Sequence, residues 1–378
     1  MRKTSKLTFL GVGVLLAGVA LAVPRKQGPS ALQQNAGPKT VDVVIALDVS
    51  SSMDGLIDGA RQRMWDVVNL MAKAQPTPTL RVGLISYGND GYDASVGWVR
   101  KESDLTTNLD SVYSKLFALR TNGGTEYVAR AVHDATYQME WSQSPGAMKV
   151  LFVAGNEPAN QDPTIPVEKA VAEAREKGIL VNTIYCGSEG NGESALWRDV
   201  ATRGMGQYAA IDQNQVVAVA APQDAELARL SNELNKTYVA YGAAGGARQA
   251  LQQAQDGNAA SASAPAAAAR AVAKSSALYK NDEWDLLDAR AAGKDVKRMA
   301  TAELPAPMKA MAPEERVKFL DEKAHERTEV QQKIATLRAE RDSFLKSERA
   351  KKGKKGGIDD ALEGSMRKEA EASGFKFQ

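Results

Sequence analysis

The chain is 378 residues long, with 48 Lys and Arg against 46 Asp and Glu and a formal net charge of +2. Near-neutrality removes the electrostatic reason to expect a nucleic-acid partner, and the single cysteine, Cys186, excludes an intrachain disulfide. Aromatic residues make up 6% of the chain and alanine is abundant, which points to a modest core flanked by helical or low-complexity segments.

Arg2, Lys3 and Lys6 precede an apolar stretch from Leu7 to Val23 that contains Ala20-Leu21-Ala22. This is the layout of a secretory signal peptide over 1–22. The rival is an uncleaved N-terminal anchor, since a spanning helix needs about 20 apolar residues. Three glycines in the stretch and the A-x-A pattern favour cleavage. On either reading the rest of the chain is exported, as a periplasmic, secreted or cell-envelope protein that meets the membrane only if the segment is uncleaved. Residues 23–38 read as a linker.

From Lys39 apolar runs of strand length alternate with amphipathic stretches of helix length. Val41–Leu47 is strand-like, and Leu56, Ala60, Met64, Val67 and Met71 then recur at helical spacing. Leu80–Tyr87 is a strand, with Ala94–Val99 expected to pair with it antiparallel. Asn108–Leu119 and Glu126–Trp141 read as helices, and Val150–Ala154 as a short buried strand. Pro166–Lys177 is a helix with Gly178 as C-cap, followed by a strand Ile179–Tyr185, a helix Ser194–Arg203 and a strand Gln207–Ile211. This alternation predicts an α/β fold, a doubly wound and mostly parallel sheet with helices on both faces, over 39–220.

Beyond it the strand signals stop and a helical C-terminal region begins. Residues 221–256 form a helical extension with a break near Tyr241–Gly246, and 257–278 read as an Ala/Ser-rich linker unable to bury a core of its own. Residues 279–312 hold a short docking segment around Trp284, Leu286 and Leu287. Residues 313–350 form a long charged helix whose narrow apolar stripe, interrupted around Arg327–Gln331, resembles a coiled-coil seam and suits self-association. Residues 351–378, opening on KKGKKGG, read as a flexible basic tail.

The first strand runs into DVSSSMD. Strand ends are where open α/β sheets bind ligands. Asp48, Ser50 and Ser52 alternate along the chain, so an extended loop points one carboxylate and two hydroxyls to one side. Hard cations such as Mg²⁺ take oxygen ligands of this kind. The competing reading is a turn and helix N-cap cluster, with Asp54 also placed to cap the next helix. A second element, TNGGTE over 121–126, places Thr125 in a glycine-rich loop before a helix. A second polar cluster, Asn89, Asp90 and Asp93, reads as a turn before it reads as a Ca²⁺ site. Cys186 at a strand end reads as a small buried residue rather than a nucleophile.

Together DVSSS and NGGTE resemble a von Willebrand factor type A domain with its metal-ion-dependent adhesion site. The resemblance implies a divalent cation, Mg²⁺ with Mn²⁺ or Ca²⁺ as alternatives, on Asp48, Ser50, Ser52 and Thr125. It also implies a partner protein or peptide whose Asp or Glu carboxylate completes the coordination, and binding rather than catalysis. The family's acid after the next strand is missing here, where the turn reads Ala154-Gly155-Asn156-Glu157-Pro158. Asn156 or Glu157 is then left to supply an oxygen, or the ion is held weakly. Glu126 and Glu157 are the spare acids nearby. Segments 233–242 and 279–289 resemble those that follow such domains in bacterial secreted proteins. The alternatives are an assembly or scaffold factor working through its C-terminal helix and, further off, a metal-dependent hydrolase. No G-x-S-x-G or H-E-x-x-H pattern supports the hydrolase.

Overall fold

The central strand, β1 (Thr40–Asp48), is apolar on both sides. Val41, Val43 and Leu47 enter one core, and Val44 and Ala46 enter the other. A strand buried on both faces has to sit inside a sheet with helices above and below it. The computed structural model describes residues 39–211, 219–352 and 358–377, so the signal-peptide or anchor segment, the linker 23–38 and the basic run 353–357 lie outside the described residues.

Strand β1 pairs in parallel with β3 (Thr79–Tyr87) and with β5 (Met148–Gly155). Beyond β5 come β6 (Leu180–Tyr185) and β7 (Met205–Ala210), while β4 (Val99–Thr106) closes the other edge antiparallel to β3, giving the order β4-β3-β1-β5-β6-β7. Helices α1 (Asp54–Met71) and α2 (Leu109–Ala118) cover one face through Trp65, Tyr113 and Leu116. Helices α3 (Val128–Gln138), α4 (Val167–Glu176) and α5 (Gly192–Arg203) cover the other through Val132, Val171 and Trp197. The expected doubly wound architecture is present. Its register sets Asp48 beside Tyr87 and Leu47 beside Ala154, so three strand ends and their loops meet at one place. The antiparallel strand expected at Ala94–Val99 begins only at Val99. Asp93 caps a short 3₁₀ turn over Ala94–Val96, and Gly97 leaves it with φ 75°.

The C-terminal helices pack on this sheet as part of the same compact unit. These are α6 (Asp224–Asn235), α7 (Gly245–Ala262), α8 (Ala264–Lys274), α9 (Leu286–Ala291) and α10 (Pro313–Lys352). The expected linker 257–278 is instead the end of α7 and the whole of α8, which is buried from Ala266 to Lys274. Alanine-rich helices bury by close approach rather than by large side chains. Ser263 caps α8 by accepting from the Ala266 amide at 3.1 Å. Arg270 and Lys274, each 1% exposed, are neutralised by Asp110 and Asp256 at 2.6 to 2.9 Å. Part of the α10 stripe is turned inward, with Leu320 and Ile334 fully buried. Arg327, in the gap of that stripe, is ion-paired with Asp285 at 2.7 Å and Asp288 at 3.0 Å. No helix among the described residues is long and apolar enough to cross a membrane.

The expectation of a flexible tail over 351–378 is also corrected. Helix α11 (Ile358–Ala372) and β8 (Lys376–Phe377) return to the sheet, where Met366, Ala370 and Phe375 enter the core shared with α1, and β8 pairs antiparallel with β2 (Ala74–Gln75). Glu369 comes with them and is 5% exposed. Its carboxylate accepts from Asn182 Nδ2 at 3.2 Å and from the Ser365 hydroxyl at 3.3 Å. Burial, partly offset by these bonds, pushes Glu369 from 4.5 up to about 7. The folded protein therefore keeps a proton that the unfolded chain releases above about 4.5, and stability falls as pH rises from there through 7. Urea melts between about pH 5 and about pH 8 are expected to lose roughly 2–3 kcal/mol from this source, a loss that Glu369→Gln removes.

Candidate metal site

Three loops build the site. In the first, the Val49 amide donates to Tyr87 O at 2.8 Å and keeps the chain in the sheet for one residue past Asp48. The Ser50 amide then donates to Asp48 Oδ1 at 2.8 Å, and the Ser50 and Ser52 hydroxyls lie 3.1 Å apart. The N-cap of α1 is Met53, with no side chain capping it. Asp54 accepts from the Thr121 hydroxyl at 2.6 Å instead of capping. The helix-cap half of the competing reading therefore fails, while the Ser50 amide on Asp48 Oδ1 is the turn half of it.

The second loop, 121–127, is laced to the first by Ser51 N to Gly123 O and Asn122 N to Val49 O, both at 3.0 Å. Thr125 lies in it, half-buried, directly before Glu126, which is 3% exposed and turned inward beside Asp48. Gly88, at φ 85°, makes room for this pair: a Cβ there would lie 2.9 Å from both Asp48 Oδ1 and Glu126 Cγ. In the third loop Asn156 Nδ2 donates to the Ser52 hydroxyl at 3.2 Å. Trp197 Nε1 anchors the same loop on Glu157 O at 2.8 Å. The Glu157 side chain is half-buried and near enough to act on the charges of both Asp48 and Glu126.

The structure thus brings Asp48, Ser50, Ser52 and Asn156 into one cluster, with Glu157 at its margin and Thr125 in the neighbouring loop. Glu126 is the member that sequence reasoning counted only as a spare acid. Its position just before a helix suits an ordinary first-turn acid, and this hid its inward turn. Three buried oxygens of the cluster, Asp48 Oδ2, Glu126 Oε2 and Asn156 Oδ1, receive no N–H or O–H from elsewhere in the protein, while the Asp48 and Glu126 carboxyls hydrogen-bond to each other. Burial pushes Asp48 up to about 7 against the hydrogen bonds from Ser50. Burial and then the charge of Asp48 push Glu126 up to about 8. Unpartnered, crowded carboxylate and amide oxygens are the donor set of a hard cation, and the residues fit one. Among the described residues no group of three or more His, Cys, Asp or Glu side chains could hold a metal, so hydroxyl and amide oxygens would have to supplement the two acids.

Asn89 and Asp93 are spent on turns, and Asp90 on a contact with the 121–127 loop. Asn89 Oδ1 accepts from the Gly91 amide at 2.8 Å, Asp90 Oδ1 from the Gly124 amide at 3.4 Å, and Asp93 Oδ1 from the Ser95 amide at 2.8 Å. Burial, with the nearby charge of Asp48, holds the Cys186 thiol protonated.

Residues 42–226 match the family model described as the von Willebrand factor type A domain. This part of the chain, just under half of it, has the type A fold. Similar solved structures include a von Willebrand factor type A protein from Catenulispora acidiphila, with 17% identity over 47% of this chain and 40% of that one at a TM-score of 0.37. Proximal thread matrix protein 1 from the mussel byssus, with a zinc-occupied MIDAS motif, is 14% identical over 47% and 43% at a TM-score of 0.37. The pilus adhesin SpaC from Lactobacillus rhamnosus GG is 16% identical over 49% and 29%, also at 0.37. The chain spans less than half the length of each of these three solved chains. No curated protein matches it.

The crowding around Gly88 can be tested on the full chain. Gly88→Ala is expected to lower the melting temperature by several degrees, for a loss of about 1–3 kcal/mol. Gly146, at φ 77° with nothing within 4 Å of a Cβ, isolates the backbone cost, and Gly146→Ala should lose less in the same melts.

Proposed function

We propose that the protein is an exported binding module in which a divalent cation at the type A domain takes the carboxylate of a partner protein or peptide. Mg²⁺ is the expected ion, with Mn²⁺ or Ca²⁺ as alternatives. Asp48 supplies the buried charge, Ser50, Ser52 and Thr125 supply hydroxyls, and Asn156 and Glu157 contribute directly or through water. The carrying observation is the unpartnered Asp48 Oδ2, buried at the end of the central strand beside the Ser50–Ser52 hydroxyl pair and the equally unpartnered Asn156 Oδ1. Asp48 is buried with a backbone donor on one oxygen only, and such a carboxylate is stabilised as an anion by positive charge beside it.

Type A domains are chiefly interaction and adhesion modules. The N-terminal sequence supports export. Binding is favoured over hydrolysis because the cluster contains no histidine and its neighbouring thiol is held protonated. The scaffold reading loses part of its ground, because Leu320 and Ile334 of the α10 stripe are already buried within the chain.

Calorimetric titration of Mg²⁺, Mn²⁺ and Ca²⁺ into the full chain should give saturable binding that Asp48→Ala abolishes and Thr125→Ala weakens. Capture of Asp- and Glu-containing peptides on an array should then need the cation and disappear in chelator. Peptide capture that persists in chelator would refute the cation-bridged mode.

A further inference from the structure

We infer that Glu126 is the second carboxylate ligand of the cation site, standing in for the acid that position 155 does not carry. This rests on the cation reading above and concerns which side chains hold the ion.

Position 155 has no room for a side chain. A Cβ on Gly155 would lie 2.6 Å from the Tyr87 hydroxyl, 3.1 Å from Asp48 Oδ2 and 3.1 Å from the Trp197 ring. The obstruction is fixed rather than mobile, because Tyr87 is fully buried and its hydroxyl donates to Ala154 O at 2.9 Å. The Tyr87 hydroxyl occupies the space into which an acid at 155 would have to extend.

Glu126 approaches Asp48 from the loop before α3. Atoms of Asp48 and Glu126 lie 2.9 Å from the same point above Gly88, so that glycine is what allows both acids into one small volume. The two backbone bonds from Ser51 and Asn122 hold the Glu126 loop against the DVSSS loop, so the approach is built into the fold. The extra methylene of Glu over Asp lets a carboxyl reach inward from this more distant loop. Its Oε2, like Asp48 Oδ2, is buried and receives no N–H or O–H from elsewhere in the protein. In the free protein the two buried carboxyls bond to each other; once deprotonated they offer two negative charges, the number that a divalent cation neutralises. Ligand charge count sets much of the affinity for such ions, so the free protein holds its cation before any partner arrives.

The test is a Mn²⁺ titration of the full chain followed by calorimetry and by the loss of the free-ion electron paramagnetic resonance signal. Wild type is compared with Asp48→Asn, Glu126→Gln and Glu126→Asp. Glu126→Gln should weaken Mn²⁺ on the order of tenfold or more. Its melting temperature in metal-free buffer should stay at or above wild type, since the change removes one of two crowded acids. Glu126→Asp, which keeps the charge but withdraws it, should bind with intermediate affinity and shows that charge at this position matters even if the Gln variant folds poorly. Unchanged Mn²⁺ affinity in folded Glu126→Gln, with binding lost in Asp48→Asn, overturns the role of Glu126 and leaves the cation reading standing. Absence of Mn²⁺ binding in wild type overturns both, and makes Asp48 and Glu126 a pair that shares a proton.

Discussion

Two buried acids face each other at the carboxyl end of the central strand, and the surroundings are arranged around that confrontation. Like charges brought together out of water cannot both stay ionised without something positive between them. A proton can serve: burial raises both carboxyls, the charge of Asp48 raises Glu126 further, and the two acids hydrogen-bond to each other. A divalent cation would serve better, because it neutralises both acids at once and also takes oxygen from Ser50, Ser52 and Asn156. The neighbouring glycines follow from the same constraint. Gly88 gives the two acids room, and Gly155 gives room to the Tyr87 ring that closes one side.

The helical C-terminal region bears on this site through one helix that leaves it, α1, and one that leads into its second loop, α2. Helix α1 starts directly after the DVSSS loop, and α2 lies beside it, with the Tyr113 hydroxyl donating to Arg61 O at 2.7 Å. Helix α8 holds both. Asn69 Nδ2 of α1 donates to Ala269 O at 2.9 Å, Arg270 lies over the Trp65 ring at 4.4 Å, and the same guanidinium pairs with Asp110 at the start of α2. An ion pair buried this deeply adds little net stability, but loss of one partner leaves an uncompensated charge in the core. The arrangement therefore favours one docking geometry of the helices over nearby alternatives, and it ties α1 and α2 to the C-terminal helices.

The sequence showed the sheet clearly because fully buried strands leave unbroken apolar runs, and β1 and β5 have them. Asp48, Ser50 and Ser52 were legible for a related reason: an acid and two alternating hydroxyls at a strand end form a local pattern. Glu126 was not legible, since its role depends on Tyr87, Gly88 and Gly155, three positions that meet only through strand pairing. Helix α8 was misread because alanine carries no periodic hydrophobic contrast, and its two charged residues, Arg270 and Lys274, looked solvated until their partners Asp110 and Asp256 were placed. The C-terminal segment was misread because the glycine and lysine run at 353–357 dominated the composition, while the buried residues Met366, Ala370 and Phe375 lie beyond it. The start of β4 was misplaced because Asp93 and Gly97 make a capped turn where apolar residues alone suggested a strand.

Tyr87 and Gly155 are best understood as a single packing solution. In the register of the sheet Tyr87 pairs with Asp48 across β1, and its side chain passes beneath the strand end to reach Ala154 O on the far side. That path puts the Tyr87 hydroxyl, beside the Trp197 ring, in the space above Gly155, and neither places charge there. An acid at 155 would bring a further carboxylate into a volume that already contains Asp48 and Glu126, with Glu157 close by. The departure at Gly155 is therefore compatible with a working cation site, because what such a site requires is a set of charges and oxygens converging on one volume. Which loop delivers each of them is settled by packing, and here Tyr87 leaves the opposite loop, the one that carries Glu126, as the route for the second acid.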